Sequence, residues 1–229
     1  MIRYPHVPYW NKGVFGTHVF AFDKLDGSNI RATWSKKLSK KTSFSNGFGK
    51  FGTRTQLTYL KDPTWGLAVE LFMKKYSAGL DKIFCEDSDF RQTREVTVFA
   101  EFFGANSFAG WHDENDKKLG KMDIVLFDVD VFQKGIMKPK DFIQKFSHLD
   151  IPKIVYEGYY DQTLVDNVKN NIYDLNEGVV VKGTTKTKKK EVENVWMVKI
   201  KTLNWLQKVK DIHGEKKLLE EVNGDKTLI

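Results

Sequence analysis

What most constrains this sequence is a series of short apolar runs that each carry charge at one end. Residues 19–22 lead to Lys24, 96–103 hold Glu101, and 124–132 hold Asp128. Residues 179–181 lead to Lys182, and 195–201 finish on Lys199 and Lys201. β-Branched and aromatic residues dominate these runs, which marks them as strands. Alternation along 195–201 puts Lys199 and Lys201 on one strand face. Strands come before few crossover helices, so the chain reads as α+β with mainly antiparallel sheets flanked by helices.

The intervening segments follow from local signals. Residues 29–34 read as a further strand, and the basic run 36–41 as a solvated hairpin tip. Residues 43–56 are rich in Gly, Ser and Phe and read as a loop ending near Arg54. A helix is expected from Asp62, with Leu67, Leu71, Phe72, Tyr76 and Leu80 at helical spacing and Gly79 near its end. Residues 105–121 and 184–191 read as polar loops. Short helices are expected over 140–146 and from a cap at Asp161 to about 172, with a strand at 154–156 between them. Thr202 caps a helix carrying Leu203, Leu206, Val209 and Ile212 that stops at His213-Gly214, and 216–222 suits one more helix. No repeat and no linker composition appears. The expected organisation is one domain over 1–202 and a short helical tail over 203–229.

Composition narrows the class. The 229 residues are 41% hydrophobic and 29% charged, enough to bury a core in a soluble fold. A net charge of +7 favours a polyanionic partner. Cys85 is the one cysteine, which excludes an internal disulfide and a Cys-rich zinc site. His6, His18, His112, His148 and His213 lack ligand spacing. No run nears the ~18 apolar residues of a membrane span. An intracellular, cytoplasmic location and no membrane partner are expected.

The stretch Lys24-Leu25-Asp26-Gly27 is the most chemically pointed, and Lys24 reads as a nucleophile. A free lysine has a pKa of ~10.4, so only about one in a thousand is the reactive amine at neutral pH. Nearby cations such as Lys182, Lys199 and Lys201 reduce the cost of the neutral form. Lysines on one strand face also suit charge that develops on phosphate oxygens. A site with Glu177 and Asp26 but no clustered His or Cys suits hard, oxygen-ligated Mg²⁺ or Mn²⁺.

The order of these clusters resembles the covalent nucleotidyltransferases, the superfamily of ATP-dependent polynucleotide ligases and mRNA capping enzymes. Lys-x-Asp-Gly-x-x-x-Arg is met by Lys24, Asp26, Gly27 and Arg31. Phe99 to Gly104, with Glu101 at its centre, resembles the third motif. Apolar residues followed by Phe127-Asp128 resemble the next. Glu177-Gly178-x-x-x-Lys182 and Lys199-x-Lys201 resemble the fourth and fifth. Within the superfamily the chain is most similar to RNA ligases of the bacteriophage nick-sealing and RNA-editing type. Many nick-sealing RNA ligases carry His where Asp26 stands, so Asp26 is nearer the broader superfamily form.

The resemblance implies a nucleotide pocket between sheets, ATP as AMP donor and Mg²⁺ or Mn²⁺ as metal. It implies a lysine–AMP intermediate at Lys24, AMP transfer to a 5′-phosphate RNA end, and sealing by a 3′-hydroxyl, in a monomeric enzyme of cellular or phage origin. It assigns Lys199 and Lys201 to phosphate and Asp26 to the cofactor site. It assigns Glu101 to the ribose, Phe127 to adenine, and Arg31 and Arg54 to sugar or phosphate. Glu177 is assigned to metal and Lys182 to base or phosphate. Residues 203–229 are too short for the OB domain of larger relatives, which needs some ~70–100 residues, so the sequence reads either as a minimal ligase or as the adenylation domain of a longer chain. A minimal DNA ligase, a GTP-using capping guanylyltransferase and an inactive nucleic-acid-binding module are the alternatives.

Overall fold

The structure is a computed structural model that describes residues 1–41, 45–104, 121–186 and 193–222. It has mixed α and β elements, with antiparallel sheets flanked by helices. The chain builds two compact units that it enters more than once: Met1–Tyr4, Gly27–Met137 and Lys145–Ile151 form the first, Pro5–Asp26, Lys138–Gln144 and Pro152–Ile229 the second.

In the first unit, β2 (Ser28–Ser35), β3 (Phe48–Thr53), β4 (Leu57–Thr58), β5 (Glu95–Phe103), β6 (Asp123–Val131) and β7 (Gly135–Ile136) make one sheet in the order β4-β3-β2-β5-β6-β7. Ile30, Ala32 and Trp34 of β2 alternate into the core with Val96, Val98 and Ala100 of β5. A helical stretch runs as α2 (Gly66–Phe72), a π turn (Met73–Ser77) and α3 (Ala78–Glu86). It buries Phe72, Tyr76, Leu80 and Phe84.

Three expectations change in this unit. The basic run after Ser35 lies in the connection of the antiparallel β2–β3 hairpin, as expected, but it starts as a one-turn helix, α1 (Lys36–Ser39), tied down where the Lys36 N–H donates to the Arg94 carbonyl at 3.1 Å. The Gly-rich segment expected as loop contains β3, which pairs with β2 and packs Phe48 and Phe51 against Phe72, while Gly49 and Gly52 interrupt its strand pattern. The helix expected from Asp62 starts four residues later. The Asp62 carboxylate accepts from the Thr64 and Trp65 N–H groups at 2.9 and 3.0 Å, closing a turn before the helix. Gly79 lies inside α3, which runs on to Glu86.

In the second unit β1 (His18–Lys24), β8 (Ile154–Tyr159), β9 (Gly178–Lys186) and β10 (Glu193–Lys201) form a sheet in the order β10-β9-β1-β8. Val19 and Ala21, Val179 and Val181, and Val198 and Ile200 turn to one face, where they pack with helices α5 (Gln162–Lys169) and α6 (Leu203–Glu221). Helix α6 contributes Trp205, Leu206, Val209 and Leu218 to that core. It is capped as expected, Thr202 Oγ1 accepting from the Trp205 N–H at 3.1 Å, and broken at Gly214, whose φ of 82° is left-handed. Asp161 caps α5 by accepting from Leu164 N–H at 2.8 Å, but the helix stops at Lys169 rather than near 172. Helix α4 (Pro139–Phe146) matches expectation. Strand β9 runs on to Lys186, into the segment expected as loop. The rest of that loop and nearly all of the loop after Gly104 lie outside the described residues.

Candidate active site

In the second unit the sheet register gathers the lysines. Gly178 of β9 pairs with Lys24 of β1 on one side and with Lys201 of β10 on the other. Glu177, the residue before Gly178, is thereby placed between both ammonium groups. Lys24 Nζ donates to Glu177 Oε2 at 2.7 Å, and Lys201 Nζ lies 2.6 Å from Glu177 Oε1. Gly178 has φ 153°, and a Cβ there would collide with the Ile200 carbonyl oxygen, so only glycine lets β10 close on this corner. The N-terminal segment adds to the outer edge of β10. Trp10 N–H donates to the Lys199 carbonyl at 2.9 Å, and Lys199 N–H to the Pro8 carbonyl at 2.8 Å.

The chain of charges continues past Lys201. Its Nζ donates to Glu221 Oε2 at 2.8 Å and lies 3.5 Å from the centroid of the Trp205 ring, a cation–π contact. The same Glu221 oxygen is 3.6 Å from Lys199 Nζ. Three lysines and two glutamates therefore alternate: Lys24, Glu177, Lys201, Glu221, Lys199. Lys24 is the open end, with 26% of its side chain exposed against 3% for Lys201.

Burial alone would raise the Glu177 carboxyl, but Lys201 and Lys24 outweigh it and hold it below the ordinary range. Glu221 is half-buried, and Lys201 and Lys199 bring it down to about 2. Lys199 is lowered, first by burial and then by the Lys201 charge. Asp26 moves the other way. Burial and the Glu177 charge push it up to about 7, against the pull of Lys24 and Lys201 and a hydrogen bond from the Trp205 side chain.

Glu177 has both oxygens on lysines, and among the described residues no group of three His, Cys, Asp or Glu could hold a metal ion. Among the described residues Asp26 keeps one buried carboxylate oxygen, Oδ2, without a hydrogen-bond partner. This donor set fits a divalent ion brought in on phosphate oxygens and water, with Asp26 as the available carboxylate. It does not form a protein-built cage.

Lys182, on the sheet face opposite the Val179 and Val181 core, is buried. Its Nζ sits over the rings of Phe22 and Phe142 at 4.9 and 5.5 Å.

The remaining candidates belong to the first unit. Asp128 pairs with Phe99 and Leu126 with Ala100, so Phe127 is the extra residue of a β-bulge. The bulge sets Phe127 half-buried beside Phe99, with centroids 6.4 Å apart, and edge-on to Tyr4 at 4.9 Å. Tyr4 Oη donates to Asp128 Oδ2 at 2.8 Å, and burial and Asp128 raise its pKa. Glu101 pairs with Asn29 on β2, two residues from Arg31. Arg31 is buried and donates from Nη1 to the Ile2 carbonyl at 3.0 Å, so its guanidinium secures the N-terminal segment. Arg54 is an exposed turn residue after β3.

Sequence reasoning missed Glu221, Trp205 and Tyr4. Trp205 had a signal, since it stands at the capped start of a helix just past Lys201. Glu221 and Tyr4 had none, being single residues in segments without a motif.

No protein-family model matches the chain, and no curated protein matches it by sequence. By structure it is similar to the Naegleria gruberi RNA ligase with pyrophosphate, at 14% identity and a TM-score of 0.60, over 92% of this chain and 58% of that one. A variant of that ligase with AMP and Mn is similar at 13% identity and 0.62, over 92% and 59%. Another, with ATP and Mn, is similar at 12% and 0.60, over 92% and 59%. The chain thus spans less than two thirds of the length of the ligase it resembles. The likeness shows that the chain shares its fold with that RNA ligase.

Proposed function

We propose that the chain is an ATP-dependent polynucleotide ligase acting on RNA, with Lys24 as the residue that carries AMP. The observation that carries this reading is the Lys24–Glu177–Lys201 link. A partly open lysine at a strand end is aligned by a buried carboxylate and backed by a second, buried lysine. The likeness in fold to a ligase whose structures hold ATP or AMP with Mn supports ATP and a divalent ion as cofactors.

In this reading Lys24 Nζ, once deprotonated, attacks the α-phosphorus of ATP. An N–P bond forms, the bond to the bridging oxygen of the β-phosphate breaks, and pyrophosphate leaves. Glu177 fixes the direction of Nζ. Lys201 and Lys199 offer charge to the phosphate oxygens where it develops, in place of their contacts with Glu221. Mg²⁺ or Mn²⁺, when bound near Asp26 and Glu177, would neutralise part of the triphosphate charge. In the first unit Glu101, Arg31 and Arg54 are the ribose and phosphate candidates, and Phe127, held by the bulge, is the adenine candidate. Lys182 serves base or phosphate. AMP then passes to a 5′-phosphate end, and a 3′-hydroxyl attacks that end, forms the phosphodiester and releases AMP.

Incubation with α-labelled ATP and Mg²⁺ tests the reading. Covalent label is expected on the wild type and absent from Lys24→Ala. Label from GTP instead would move the chain to the capping enzymes. Sealing of nicked DNA but not nicked RNA would move it to the DNA ligases.

A further inference from the structure

In the first unit, at the far ends of β2, β5 and β6 from Glu101, Ser35, Lys36, Lys37, Arg94, Glu95 and Phe132 line a groove of about 360 Å³. Lys37 and Arg94 are exposed, and Phe132 is 46% exposed. Two hydrogen bonds from Lys36 brace one wall of the groove. The Lys36 N–H donates to the Arg94 carbonyl at 3.1 Å and Lys36 Nζ to the Arg91 carbonyl at 2.7 Å, which locks α1 against the turn before β5. Among the described lining residues three are cations and one, Glu95, is an acid. Cations around an uncovered aromatic ring are the two ingredients of nucleic-acid strand contact: charge for phosphates and a flat apolar face for a base or sugar.

Resting on the ligase reading above, we propose that this groove is a second, distal seat for the phosphate backbone of the nucleic-acid substrate. Glu95 and Glu101 stand six residues apart on β5, about 20 Å at ~3.4 Å per residue. At ~3.4 Å per phosphate along one strand, that is about six nucleotides from the level of Glu101. The groove therefore grips the substrate well away from the joined ends, and its contribution depends on substrate length.

Fluorescence anisotropy with nicked RNA duplexes tests this. One duplex has arms of about 12 base pairs on each side of the nick and the other arms of about 3, chosen to lie beyond and short of the groove. The variants are Lys37→Glu with Arg94→Glu, and Phe132→Ala, each checked for an unchanged melting temperature. The charge reversal should weaken long-arm binding about tenfold and flatten the salt dependence by roughly one to two ions, since each phosphate contact contributes about 0.9 to the slope. Phe132→Ala should cost a few-fold on the same duplex. Short-arm binding should not change.

An equal loss on both lengths, or none on the long one, overturns the proposal. The second result would leave the cations to an acidic protein partner or to solvent. A wild type that binds neither duplex overturns it too. Covalent labelling by α-labelled ATP is scored separately and should be intact in all variants. Its absence from the wild type defeats the ligase reading, while the length dependence of binding is still read directly.

Discussion

A carboxylate buried between two ammonium groups is stable only while its partners stay charged and in place, because an unpaired buried charge is costly. Glu177 is in that position, with Lys24 on one oxygen and Lys201 on the other. Glu177→Gln keeps the shape and removes the charge. It should lower unfolding free energy by about 3 kcal/mol in urea titrations, the usual scale for breaking a buried pair. It should also cut covalent AMP formation at least a hundredfold.

Asp130 gives a pH prediction with the opposite sign to the usual acid. Burial and the Asp128 charge push it up to about 6, and its Oδ1 has no hydrogen-bond partner among the described residues. The folded state holds this proton more tightly than the unfolded chain does. Its stabilising contribution is therefore complete below pH ~4 and is lost as pH rises through about 6. Asp130→Asn should remove this loss. The variant should gain about 2 kcal/mol over wild type between pH 4 and pH 7, compared by thermal melts.

At this scale the sequence showed residue types and order well. Lys24, Glu177 and Lys201 are visible as motif residues, and the structure joins them. Glu221 was not legible, because its meeting with Lys201 depends on a helix that turns back across 20 residues.

Among elements, β9 and α6 matter most to the site. Gly178→Ala should push β10 away from β9 at the point where Lys24 and Lys201 meet. Loss of cooperative unfolding, or a fall in melting temperature larger than that of Glu177→Gln, is expected in calorimetry. Helix α6 brings a resident anion, Glu221, to Lys199 and Lys201, beyond the break at Gly214. Glu221→Gln should leave these lysines more positive. Binding of inorganic pyrophosphate should tighten several-fold by calorimetry while the fold loses about 1 kcal/mol. Weaker pyrophosphate binding would instead make Glu221 an aid to phosphate capture.

The strands with β-branched and aromatic residues were readable. Strand β3 was not, because Gly49 and Gly52 hide its alternation and its pairing is supplied by β2. The π turn within the long helix left no pattern that a 3.6-residue period would expose.

Over the whole molecule, the chain leaves and re-enters each unit, and no Gly- or Pro-rich linker marks the crossings. Composition therefore marks no boundary between the two compact units. The candidate roles divide the same way. The lysine cluster lies in the second unit and Glu101, Arg31, Arg54 and Phe127 in the first. Charge acts at this scale as well. With +7 net charge, binding to RNA should fall steeply between 50 and 200 mM salt, as phosphate contacts release counterions.

The central claim is that Lys24 carries AMP. Intact-protein mass spectrometry after incubation with ATP and Mg²⁺, followed by peptide mapping, addresses it most directly. A single AMP adduct is expected, mapped to Lys24, lost in Lys24→Ala and reversed by added pyrophosphate. No adduct on the wild type, or an adduct that persists in Lys24→Ala, would contradict it.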